Sequence, residues 1–199
     1  MWKTISSLTC LAIAAALAGC KQPFSYDSKN GQKLLTKHYH NFENAKEKVS
    51  KMSFERCFDT AHADSIKSYF KSRVAVCSRV DKNYVKDMTE YWKGRAEARA
   101  DISKKYPNLD EISSAEEADD AKLEVFLGDI DKNDQDQARD LFSYKDREAL
   151  DTLVAKVNNA RDSCYNTAIL PIKDFYKSST KYDRSDWVSE LVYPEKLYR

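Results

Sequence analysis

The chain has 199 residues, and its 33 Lys and Arg nearly balance 32 Asp and Glu, for a net charge of +1 with histidine neutral. That balance excludes a general nucleic-acid binder, which carries a basic surplus, and a polybasic membrane-surface domain. A 42% hydrophobic fraction with 12% aromatic residues suffices for a packed core and excludes disorder throughout.

The first element in chain order spans residues 1–20. It carries Lys3 near its start, an apolar stretch from Leu8 to Leu17, and closes on Leu17-Ala18-Gly19-Cys20. A membrane span needs about 20 apolar residues, and the polar Lys21-Gln22-Pro23 arrives too soon for one. Small Ala18 and Gly19 leave the backbone open to a processing enzyme, and the Cys20 thiol is a nucleophile able to take a lipid. The segment resembles the lipobox signal of a bacterial lipoprotein precursor. The resemblance implies export, cleavage before Cys20, and attachment to the membrane through fatty acyl chains such as palmitate on that residue. Two or three such chains hold stably where one holds only marginally. Lys21 stands where an Asp favours inner-membrane retention, so the resemblance points to the outer membrane in a Gram-negative source. On this reading residues 1–19 are a leader and residues 20–30 the lipidated cysteine and a tether. A ten-residue tether reaches about 33 Å at full extension. Residues 31–199 then form a single helical domain.

Within that domain Leu35, His38, Phe42, Ala45, Val49 and Met52 recur at spacings of three and four, which draws one face of a first helix. A second pattern follows Ser53 through Phe54, Cys57, Phe58, Ile66, Phe70, Val74 and Cys77, with Asp59-Thr60 or Asp64-Ser65 as interruptions. A third runs from about Asp81 through Val85, Met88, Trp92, Ala96, Arg99 and Ile102 until Pro107 stops it. Ser114-Ala-Glu-Glu117 has the form of a capping box, Ala121, Val125 and Phe126 continue at helical spacing, and Gly128 is a stop. The longest pattern joins Leu150, Leu153, Val157, Ala160, Cys164, Ala168, Ile172 and Phe175, with Pro171 expected to kink or divide it. Trp187, Leu191 and Tyr193 close the chain. With four glycines and no hairpin signal, these patterns predict an all-α antiparallel helical bundle with one long, Pro-kinked C-terminal helix.

Cys57, Cys77 and Cys164 remain once Cys10 leaves with the leader and Cys20 takes lipid. Export makes a disulfide among them durable. On one unbroken helix Cys57 and Cys77 would lie about 30 Å apart, far beyond the reach of about 7 Å between bridged Cα atoms. Either Cys164 pairs with one of them across helices, or the chain reverses between Asp59 and Ser65 and joins Cys57 to Cys77. Three buried free thiols are the remaining alternative.

Charge is uneven along the chain: residues 110–140 hold twelve acidic against three basic residues, whereas residues 21–109 hold eleven against nineteen. A solvated acidic arm, or one lying on the basic half of its own domain, is the simplest account. Within the arm, Asp129, Asp131, Asn133 and Asp140 fall at calcium-loop positions resembling an EF-hand, although Asp134 replaces the turn glycine and Asp140 the longer Glu. These four are the candidate calcium ligands. His38 and His40 point to different sides of a helix, and His62 beside Asp64 reads as a turn or surface histidine. Tyr91, Trp92, Arg95 and Arg99 are residue types of interface anchors that at helical spacing read as core aromatics and solvated charges. No phosphate loop, nucleophile elbow or His-Glu-x-x-His pattern is present, and no cofactor is implied. The expected function is a lipid-anchored, non-catalytic binding module with a partner protein in the cell envelope; the alternative is calcium or ligand binding through residues 129–140.

Overall fold

A computed structural model describes residues 25–52, 63–114 and 120–178. Among them six helices form: α1 Ser28–Ser50, α2 Ala63–Lys105, α3 Asn108–Ser114, α4 Asp120–Leu127, α5 Lys132–Phe142 and α6 Tyr144–Ser178. The architecture is all-α, as the periodicities predict. None of these helices is long and apolar enough to cross a membrane.

Three long helices make the bundle. Gly31 of α1 lies against Tyr91 of α2 and Leu150 of α6, while the carbonyl of Met52, just past α1, accepts from Tyr69 and Arg73 of α2. Arg73 in turn reaches Thr167 and Ala168 of α6. Thus α1 and α6 run parallel, and α2 runs antiparallel to both. The buried faces follow the coiled-coil repeat of alternating three and four residues: Ser28, Gly31, Leu35, His38, Phe42, Ala45 and Val49 on α1. On α2 the same repeat runs through Phe70, Val74, Cys77, Asp81, Tyr84, Met88, Tyr91 and Arg95.

That second stripe corrects the division of α2 into two elements at Cys77–Asp81. The helix continues because Asp81 does not turn its carboxylate onto its own backbone; Arg161 and Tyr165 of α6 hold it instead. Asp64-Ser65 lies inside the first turns of α2 and does not interrupt it, whereas Asp59-Thr60 and Cys57 lie outside the described residues. At 43 residues α2 is about 65 Å long. Its C-terminal turns overhang the bundle and carry α3, α4 and α5 around a second core of Ile102, Leu109, Leu123, Leu127, Ile130, Ala138, Leu141 and Phe142.

The predicted stops at Pro107 and Gly128 stand where α2 and α4 end, at Lys105 and Leu127. Ser114 closes α3, and the other capping-box residues lie outside the described residues. On α4 the buried side chains are Leu123 and Leu127, and Val125 is exposed, opposite to the expected face. Pro171 does not divide α6, which remains helical to Ser178. Trp187, Leu191 and Tyr193 lie outside the described residues.

The predicted tether of residues 20–30 also needs correction, because α1 begins inside it. Asp27 caps the helix by accepting from the Asn30 amide at 2.7 Å. At the other side of the junction, Asp120 of α4 caps α6, accepting from the Tyr144 amide at 2.7 Å and from the Ser143 hydroxyl at 3.3 Å. A carboxylate at a helix N-terminus also meets the positive end of its dipole.

Candidate functional site

Of the cysteine alternatives, the structure contains Cys77–Cys164, bonded between α2 and α6 with Cα atoms 6.0 Å apart and both residues fully buried. One turn further along α2, buried Asp81 accepts from Arg161 Nη2 at 3.1 Å and the Tyr165 hydroxyl at 2.9 Å, with Arg161 Nε 2.9 Å from its other oxygen. Burial and the Asp81 charge push the Tyr165 phenol well above its ordinary value. Disulfide and ion pair form one clamp between the two longest helices.

The four candidate calcium ligands do not form a cation loop. Asp131 caps α5 by accepting from the Asn133 amide at 2.9 Å, and the residues that follow it are helix, not a cation loop. Nine helical steps separate Asp131 from Asp140 by about 13 Å, whereas ligands of one calcium sit about 2.3–2.6 Å from it. The Asp140 carboxylate is turned inward to Ser28 and Arg95. Asp129, Asp131, Asn133 and Asp140 are not brought together, and no cluster of His, Cys, Asp or Glu among the described residues is arranged to hold a metal.

What the structure does assemble is a groove of about 480 Å³ at the end of the bundle where the described chain begins. Residues 25–27, Ala98 of α2, and Asp136, Gln137, Asp140 and Leu141 of α5 line it. Its walls are held by two arginines expected to be solvated. Arg95, nearly buried, donates to an Asp140 carboxylate oxygen and to the Asp140 carbonyl, each at 2.6 Å, and to the Tyr26 carbonyl at 3.0 Å. One turn on, Arg99 donates to the Leu141 carbonyl at 3.3 Å and lies 4.2 Å from the centroid of the Phe142 ring. Both therefore serve the C-terminal carbonyls of α5, which lack intrahelical donors and carry the negative end of its dipole.

The N-terminal wall is fixed just as firmly. Tyr26 lies on Gly94, where an added Cβ would stand 2.3 Å from its ring, and the Tyr91 hydroxyl donates to the Asp27 carbonyl at 3.0 Å. Burial pushes the Tyr91 phenol up to about 12. Ser28 donates its amide to Asp140 at 2.8 Å, and its hydroxyl donates to the same oxygen. Beside this pair the Asp146 carboxyl is held above its usual value, first by burial and then by the Asp140 charge, against the lowering effect of Ser28 and Arg95. Asp136 and Gln137 were marked only as part of the acidic segment 129–140, and Tyr26, Asp27 and Ser28 not at all, because the groove exists only once residues about 65 to 110 positions apart meet.

His38 is buried in the α1–α2 seam with Nε2 3.1 Å from Asp87 Oδ2, and its ring meets Tyr84 edge-on. No described group bonds to Nδ1. Burial lowers its pKa below the ordinary value, and Lys37 adds to this, outweighing the opposite pull of Asp87. The unfolded chain therefore takes up this proton at higher pH than the folded one. Stability from neutral His38 is complete above about 6.5 and declines as the pH falls below it. Urea unfolding should show a lower midpoint at pH 5.5 than at 7.5, and His38→Phe should flatten that difference; an unchanged slope in the variant would assign it elsewhere. His40 is exposed, and His62 and Cys20 lie outside the described residues.

No protein-family model, curated protein or solved structure matches this chain.

Proposed function

We propose that this chain is a lipid-anchored cell-envelope protein, attached through Cys20 and acting as a non-catalytic interaction module whose working surface is the groove beside residues 25–27. The observation that carries the reading is the Leu17-Ala18-Gly19-Cys20 signal standing only five residues before a firmly docked segment. Five residues span about 17 Å at most, so an acylated Cys20 would keep the groove end of the bundle close to the bilayer. Lys21 favours the outer membrane of a Gram-negative source.

The inner polar groups support a structural rather than a chemical role for themselves. Asp81, Arg95, Asp140 and Arg73 each meet several internal partners and tie helices together. A rigid groove with an apolar floor and carboxylates in its lining, close to a membrane, suits capture of another envelope protein.

A photocrosslinking amino acid at Gln137, compared with one at exposed Lys82 on the bundle flank, tests the reading in native membranes. A discrete adduct from position 137 that weakens when Cys20→Ala removes the anchor is the expected result. Equal adduct patterns from both positions, or none from 137, would contradict it.

A further inference from the structure

The groove's chemistry points to a specific class of partner, on the premise that the groove is the working surface. Ala98, Leu141 and the Tyr26 ring give it an apolar floor, and three carboxylates, Asp27, Asp136 and Asp140, stand in its lining with no Lys or Arg among the lining side chains. Two positive charges lie behind it, Arg95 committed to Asp140 and Arg99 to Asp110. Asp136 is the carboxylate left most open, with its side chain 98% exposed. Its neighbour Arg139 bonds it at 3.0 Å, but the same guanidinium is already engaged by both oxygens of Glu124, at 2.6 and 3.0 Å. The groove's own lining is therefore acidic.

We propose that the groove seats a lysine side chain from an extended basic segment of a partner protein, its methylenes on Ala98 and Leu141 and its ammonium between Asp136 and Asp27. A lysine suits this shape because its stem buries against apolar surface while its charged head stays at the rim. A carboxylate carries about four acceptor sites, so Asp27 and Asp136 retain capacity beyond their internal bonds. The groove's volume of about 480 Å³ has room for a lysine side chain together with part of the segment that carries it.

Titration of the full chain in detergent with fluorescent hexalysine, at low ionic strength, tests this. Asp136→Lys should weaken binding at least five-fold. Asp101→Lys, an equal charge change at an exposed α2 position away from the groove, should alter it less than two-fold. Hexalysine acetylated on its side-chain nitrogens should not bind. Equal weakening by the two variants, or no binding at millimolar peptide, would overturn the proposal. Loss of hexalysine binding with the Gln137 crosslink retained would overturn only the lysine assignment, whereas loss of the crosslink would remove the interaction module itself.

Discussion

Removing the Cys77–Cys164 bond with paired alanine substitutions should cost about 3–5 kcal/mol of stability. The two residues are 87 positions apart, so the bond closes most of the bundle into one loop. In the chain-entropy account a loop of that length restricts the unfolded ensemble by about 4–5 kcal/mol. Both sulfurs are also fully buried between α2 and α6, so their removal leaves a small void. For a chain of this size the loss corresponds to a fall in melting temperature of about 10 °C. Urea unfolding of the unaltered chain in reductant should show most of this loss, with the void adding to it only in the double variant. A difference below about 1 kcal/mol between oxidised and reduced chains would mean that the bond constrains little.

Arg73 carries the second large effect, and its reason is Pro171. A proline has no amide hydrogen, so Pro171 leaves the Thr167 carbonyl, four residues earlier, without its helical donor. Arg73 Nη2 supplies one at 2.9 Å, and Nε bonds the Ala168 carbonyl at 3.2 Å. Nη1 reaches the Met52 carbonyl at 2.8 Å and the Tyr69 hydroxyl at 3.0 Å, so one buried guanidinium joins α1, α2 and α6. Arg73→Met leaves the Thr167 carbonyl without a donor, removes a second donor from the Met52 and Ala168 carbonyls, and should destabilise by about 2–4 kcal/mol. Pro171→Ala restores an amide hydrogen to Thr167. In that background Arg73→Met should cost about 1 kcal/mol less, an interaction that a double-mutant cycle measures directly. Equal costs in the two backgrounds would separate the arginine from the proline.

These two features show where the sequence was transparent and where it was not. Stripes of apolar residues revealed α1 and α6, and Pro107 and Gly128 revealed two helix ends, because each is a local property of the backbone. The unbroken course of α2 was hidden because Asp81 and Arg95 occupy core positions of its repeat. Their polarity makes sense only beside Arg161, Tyr165 and Asp140, distant in sequence. Arg73 was hidden for the same reason, and so was its link to Pro171. In residues 129–140 alternating oxygen-bearing side chains suggested a cation loop. Ala138, Leu141 and Phe142, buried on one side of α5, belong instead to a helix, and Asp140 faces Arg95. Spacing alone does not separate a carboxylate that awaits an ion from one that already has a cation.

On the reading proposed above, the domain is tied to a membrane through Cys20. Intact-mass measurement of the protein extracted from its native host tests this most directly. The expected species is a chain beginning at Cys20 and heavier by a thioether-linked diacylglycerol with its fatty acids. A chain starting elsewhere, or one with an unmodified Cys20 sulfur, would contradict it.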